Sequence, residues 1–437
     1  MTEIFFIFLH LLVITIFCYP SRWVILFFND NKNINLIEKL EKGIVINIFF
    51  LLIISFFLRK NSNVIFYFCL FFFLINLFSI IKDYFELSKL KKFILNKEFV
   101  ILFVLTFIFS INLSNNLKLG WDAQNYWLIK KLVFINNGDI FDLQYTPMKS
   151  YPYLGSFLWF FYTKFSITGY EYFGRIFYIF LFLVSIFSVF SISKLNFIKN
   201  FLLTIATVFL IYNSSLFNGY QEILIFSLTA ILVKTIYKYF NYFDKDYTFN
   251  NYYYFIGIIF LNILFIKNDA LIIIFIFLLS LLLVKIKISE KFKFLCIIIF
   301  IYLFKYNFFN YINLNNYLQE DNYQNISIIK LLDFFNLERI LLIIKYLFFA
   351  SLDNPIFFVV GFFLIIMFKN NKNNIFFSFL LLSYLFSVSF IFAAFFLTSL
   401  SLEFHLKTAA SRLLFEVSGF FLILIPLFFN KISYLKK

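Results

Sequence analysis

The chain has little of what most catalytic centres are built from. Its 437 residues include 3 Cys and 2 His. Cys18, Cys69 and Cys296 all sit inside apolar runs, so they offer no disulfide framework and no CxxC metal pair. His10 lies in the first apolar run and His405 stands alone, which leaves Ser-His-Asp catalysis unsupported. With 10 Gly there is no phosphate-cradling glycine loop, and HExxH does not occur. Pro is scarce at 5, no Gly/Ser/Pro linker divides the chain, and no period of 20–50 residues repeats. Only 14% of residues are charged, too few to cover a soluble protein of this length.

Hydrocarbon is what the chain has in excess. Hydrophobic residues make up 62% and the mean hydropathy is +0.89, so lipid must solvate much of it. The Phe-, Ile- and Leu-rich runs lack period-two alternation, which predicts helices and not a barrel. Apolar runs fall at about 4–19, 43–58, 63–81, 98–113, 172–195, 200–216, 221–240, 252–266, 270–288, 292–309, 355–369, 375–398 and 413–429. Two further runs, 151–165 and 339–352, carry Lys164, Arg339 and Lys345 and are assigned to the membrane interface. The expected fold is an all-α membrane protein, a polytopic bundle of about 13 transmembrane helices (12–14) with juxtamembrane interfacial helices. The first run, Ile4 to Phe17, lacks a basic n-region and a small-residue cleavage site and reads as a membrane helix, not a signal peptide.

The net charge of +15 would suggest nucleic acid in a soluble protein. Here Lys and Arg concentrate in alternate segments, 20–42, 82–97, 194–199, 234–250, 285–293, 369–374 and 431–437. That alternation follows the positive-inside rule and places the N-terminus outside and the C-terminus in the cytoplasm, with no nucleic-acid partner. Two larger loops, about 112–171 and 310–354, are then external. The second contains Glu320, Asp321 and an Asn325-Ile326-Ser327 sequon, which carries no weight in so Asn-rich a segment.

The first loop is the polar island. It holds Trp121, Trp127, Asp122, Asp139 and Asp142. In Gly120-Trp121-Asp122-Ala123-Gln124-Asn125-Tyr126-Trp127, Asp122 reads either as a helix N-cap or as a general base held at the lipid surface. Trp121, Tyr126 and Trp127, with Tyr151 of Tyr151-Pro152-Tyr153, fit an interfacial belt and also a platform for a sugar ring. Glu171 and Arg175 are spaced as an intrahelical pair, or Arg175 neutralises a phosphate. Gly219-Tyr220-Gln221-Glu222, Lys267-Asn268-Asp269 and His405, Lys407 and Arg412 fall at the ends of apolar runs. Each is explained by the need for polar turns. Together, on the charge-derived topology, they share one face with Asp122, which suits an anionic, lipid-borne substrate.

In this order the motifs resemble the GT-C superfamily of integral-membrane glycosyltransferases, in the branch of the protein O-mannosyltransferases and the lipid A aminoarabinose transferase. The marks are Trp121-Asp122, the Tyr-Pro-rich helix from Tyr151 to Phe165, Gly174-Arg175, Gly219 to Glu222, Lys267-Asn268-Asp269 and Arg412-Leu413. The resemblance implies N-terminal helices over 1–97 and a GT-C-like catalytic domain over 98–437. It implies a polyprenyl-phosphate sugar donor, a glycan, lipid or protein acceptor, and an external active site in a bacterial plasma membrane. Asp122 would be the general base, and Lys267, Arg175 and Arg412 would bind the donor phosphate. Two features depart from the family. Three helices more than the usual one precede the loop, and Ala123 stands where many members carry a second acid. A second carboxylate would come from Glu171, Glu222, Asp269, Asp139 or Asp142. No cofactor is indicated, and a divalent metal stays open. An O-antigen polymerase or ligase and a flippase for lipid-linked glycans are the alternatives. The first would carry several Arg in its late loop, and the second would carry polar groups at bilayer depth.

Overall fold

The computed structural model describes residues 2–19, 35–57, 62–84, 96–212, 217–241, 249–314, 336–371, 374–397 and 401–435. Seventeen α-helices dominate it, and no strand occurs among the described residues. The first eight are α1 (Thr2–Cys18), α2 (Leu36–Phe57), α3 (Ser62–Tyr84), α4 (Lys97–Asn115), α5 (Leu128–Ile135), α6 (Leu154–Lys164), α7 (Tyr172–Phe190) and α8 (Phe197–Ile211). Then come α9 (Glu222–Asn241), α10 (Phe249–Ile266), α11 (Ala270–Leu283), α12 (Ile288–Tyr311) and α13 (Leu337–Asp353). The last are α14 (Ile356–Asn370), α15 (Ile375–Phe396), α16 (Leu402–Ser418) and α17 (Leu424–Leu435). Glu320, Asp321 and the Asn325 sequon lie outside the described residues, as do much of the Lys/Arg-rich segments 20–42, 82–97 and 234–250.

Among the described residues, six helices (α2, α4, α7, α9, α12 and α15) are long and apolar enough to cross a membrane. Two bent pairs raise this to eight if each counts as one span. They are α13 with α14, bent by 97°, and α16 with α17, bent by 49°. The protein is a multi-pass helical membrane protein.

The core is built on α7 and α9. All residues of α7 are buried, as expected of a helix that is apolar all round. α2, α4, α6 and α9 pack against it, and α9 in turn meets α10, α16 and the short turn Gly419–Phe421. Small residues set two of these crossings. A Cβ on Gly174 would overlap the Trp159 carbonyl of α6, and one on Gly419 would overlap the Phe226 carbonyl of α9.

Two expectations change here. The 151–165 run forms α6, whose residues Leu154 to Thr163 are all buried in protein, so it is an internal strut and not a lipid-facing anchor. Arg412 was expected to open the last helix over 413–429, but it lies inside α16, which begins at Leu402, and the last helix is α17. The first half of α16 is polar, and its exposed Glu403 and Lys407 pair at 2.7 Å one turn apart, which stabilises helix where hydropathy suggests loop.

Overpacking at a closed crossing costs about 1–3 kcal/mol. Gly174→Ala and Gly419→Ala should therefore each lower the melting temperature of the detergent-solubilised protein. Gly257→Ala, whose added carbon meets only side-chain methyls, of Ile297 at 3.3 Å and Ile301 at 4.0 Å, should change it much less. Equal effects at all three positions would contradict the packing described.

Candidate functional site

The ends of several helices bring charged groups together that are far apart in the chain. Gly120 starts the arrangement. Its N–H donates to the Asn218 carbonyl at 2.9 Å, and it lies where any side chain would strike the Tyr220 ring. The chain then forms one π-helical turn, Ala123–Trp127, of a kind often found at functional sites. Asp122 stands at the N-cap position of that turn, but its side chain makes no capping hydrogen bond. Oδ2 instead accepts from Nη2 of Arg412 at 2.6 Å.

Arg412 projects from the middle of α16. Its Nε donates to Oε1 of Glu222, the first residue of α9, at 2.7 Å, and its guanidinium lies 4.5 Å from the Tyr220 ring centre. Gly219, at φ +83°, supplies the left-handed turn that sets Tyr220 and Glu222 at this point. The same Glu222 oxygen accepts from Lys267 Nζ at 3.1 Å. Lys267 also contacts Asp269 Oδ2 at 2.7 Å and Oε1 of Glu416. The side chains of Asp122 and Asp269 are 25% and 40% exposed, against 4% for Glu222 and 2% for Glu416. The cluster thus has a wet rim of Asp122, Arg412 and Asp269 over a dry floor of Glu222, Lys267 and Glu416.

Burial alone would push the Lys267 ammonium toward neutrality. The carboxylates of Asp269, Glu222 and Glu416 outweigh it and hold its pKa well above the usual lysine range. Tyr126 and Tyr220 move up, mainly through burial and further through the charge of Asp122. Neither phenol is a candidate base.

Of the residues singled out from sequence, Asp122, Glu222, Lys267, Asp269 and Arg412 meet in this cluster. The aromatic group also assembles. Trp121 packs edge-on to Tyr126 at 5.5 Å, and Tyr151 lies 5.8 Å from both Tyr126 and Trp127. Trp121 is exposed, whereas Trp127 is buried and so is a support, not a contact surface.

Arg175 does not join the cluster. It is fully buried, and it grips both carboxylate oxygens of Glu171 at 2.9 and 2.8 Å, the Phe217 carbonyl at 2.9 Å and the Leu117 carbonyl at 3.3 Å. With four of its five N–H groups engaged and no exposed surface, it is a clamp that fixes both approaches to the site, and Glu171 is its partner. Asp139 and Asp142 are engaged in a local turn. Asp142 Oδ2 accepts from the Asp139 N–H, and Asp139 Oδ1 from the Phe141 N–H, both at 2.8 Å. Among the described residues no group of three or more His, Cys, Asp or Glu is arranged to hold a metal ion. The point where Glu222, Asp269 and Glu416 converge is filled by an ammonium.

Sequence reading missed Glu416 and Lys305. Glu416 lies one turn beyond Arg412, and an acid inside an apolar stretch was the signal that could have found it. Lys305 is buried on α12 and donates to Asn268 Oδ1 at 2.9 Å, beside the Lys267–Asp269 turn. A second network was missed as well. Near the other end of α9, Lys234 pairs with Glu41 of α2 at 2.6 Å and Glu38 at 3.3 Å, while Lys238 pairs with Glu38 at 2.6 Å. Ser188 of α7 bonds both Glu41 and Lys234. Lys234 lies about 18 Å along α9 from Glu222, at 1.5 Å per residue.

No family model, curated protein or solved structure matches the chain.

Removing one member of a buried pair costs about 3–5 kcal/mol, whereas replacing both with apolar groups is often neutral. Lys234→Met should therefore lower the melting temperature more than the double variant Lys234→Met/Glu41→Leu. A double variant at least as unstable as the single one would mean that the pair does more than satisfy its own charges.

Proposed function

We propose that this protein is a membrane glycosyltransferase that moves a sugar from a polyprenyl-phosphate donor to an acceptor at the external face of a bacterial plasma membrane. The observation that carries the reading is Asp122. It is uncapped, held at a wet rim by Arg412, and its Oδ1 takes no partner among the described residues. That oxygen is free to accept the proton of an incoming hydroxyl or amine as the acceptor attacks the anomeric carbon. The departing phosphate gathers negative charge, and Arg412 is the rim cation beside it. Its Nη1 is uncommitted among the described residues. Trp121 and Tyr126 offer ring faces next to Asp122 for the sugar.

In this reading the chain crosses the membrane thirteen times with its N-terminus outside, and the 151–165 and 339–352 helices do not cross. The 97° bend between α13 and α14 supports that assignment for α13, because a helix lying along the membrane surface meets a crossing helix near a right angle. One observation favours a flippase of lipid-linked glycans instead. The Glu41–Lys234 network places buried charge toward the opposite end of the same α9 that carries Glu222.

A general base contributes about 10²–10⁴-fold. Asp122→Asn should lose transfer by that factor when purified enzyme is given a labelled polyprenyl-phosphate sugar, with its melting temperature little changed. Full transfer by the variant rules out the role. In proteoliposomes, movement of the labelled lipid across the bilayer without transfer of its sugar would favour the flippase.

A further inference from the structure

The Lys267 ammonium is ringed by acids: it donates to Glu222 and Glu416 and is ion-paired with Asp269 at 2.7 Å. An ammonium carries three N–H donors, and three carboxylates, those of Glu222, Asp269 and Glu416, already surround it. An anionic substrate can reach Lys267 only if one of them leaves. The three differ greatly in what leaving would cost. Glu222 and Glu416 are 4% and 2% exposed, and either would have to move its polar group through the packed interior. Asp269 is 40% exposed and can turn into water.

Asp269 also lacks the structural role its position suggests. It stands at the N-cap of α11, where an aspartate ordinarily accepts from the first free amides. Its side chain makes no such bond and reaches back two residues to Lys267. Lys305 sits on the other flank through Asn268. On the far side, Arg412 and Lys267 touch the same oxygen of Glu222, so the two cations are close enough for one phosphate to bridge them once Asp269 has moved.

We propose that Asp269 is a displaceable internal anion, occupying on Lys267 the place that the donor phosphate takes, and that substrate binding expels it into solvent. The inference rests on the phosphate-donor reading above. It adds that the unliganded site is self-occupied, and that affinity is set partly by competition with a residue of the chain itself. No bond forms or breaks in the exchange; one carboxylate–ammonium contact is replaced by a phosphate–ammonium contact.

The deciding comparison is wild type against Asp269→Asn, with binding of farnesyl phosphate to purified protein in nanodiscs as the readout and farnesol as the uncharged control. The substitution keeps the side chain's size and removes the competing charge at an exposed, non-capping position, so the melting temperature should hold. Removing a partly exposed ion pair should tighten farnesyl phosphate binding about fivefold, with farnesol unaffected. Inorganic phosphate should compete more effectively against the variant than against wild type. If wild type binds farnesyl phosphate and Asp269→Asn binds it equally or more weakly, the displacement proposal fails while the donor reading stands. If neither protein prefers farnesyl phosphate to farnesol, the donor reading fails and takes the proposal with it.

Discussion

One carboxylate oxygen, Oε1 of Glu222, accepts from both Arg412 and Lys267, and the outer cluster depends on it. Through Arg412 it holds Asp122 of the first loop. Through Lys267 it holds the α10–α11 turn and reaches Glu416 on α16. In water such pairs are worth little. At the end of a helix bundle in lipid, each charge must find a partner or stay solvated, and the cost of failing is several kcal/mol. Segments that share no sequence proximity are therefore held in one geometry.

The charges around α9 are satisfied at two levels of burial. Toward its far end, Lys234, Glu41 and Ser188 are closed off from solvent and tie α2, α7 and α9 together. At the Glu222 end, the floor is equally dry but the rim is open. Rigidity below and exposure above are what a binding site needs, because a ligand can exchange with the rim without disturbing the floor. Arg175 supports the same division. By gripping Leu117, Phe217 and Glu171 from the all-buried α7, it holds the loop rigidly without occupying the site.

Much of the helical pattern was legible from residues alone. Most apolar runs coincide with helices because hydrocarbon solvent forces every backbone group to pair within its own segment, while the 413–429 run is broken between α16 and α17. The polar turns at Asp122, Glu222, Lys267 and Asp269 were legible as a set, since charge beside lipid is conspicuous. Two readings went astray, because hydropathy distinguishes neither lipid from protein as apolar surroundings nor a polar helix from a polar loop. The 151–165 run looked interfacial but is enclosed by other helices. The polar first half of α16 looked like loop but is helix, with its charges on an exposed face.

The sequence by itself determined that this is a multi-pass helical membrane protein and which turns are rich in charge, because those follow from composition and local periodicity. Only the tertiary structure decided which charges meet. It set Arg175 aside as a clamp on Glu171, brought in Glu416 from an apolar stretch, and turned Asp122 away from capping its own helix toward Arg412. The physical reason is that an ion pair in a low-dielectric interior is chosen by distance in space. Arg412 and Asp122 lie 2.6 Å apart in space but 290 residues apart in the chain, and no local pattern encodes that meeting.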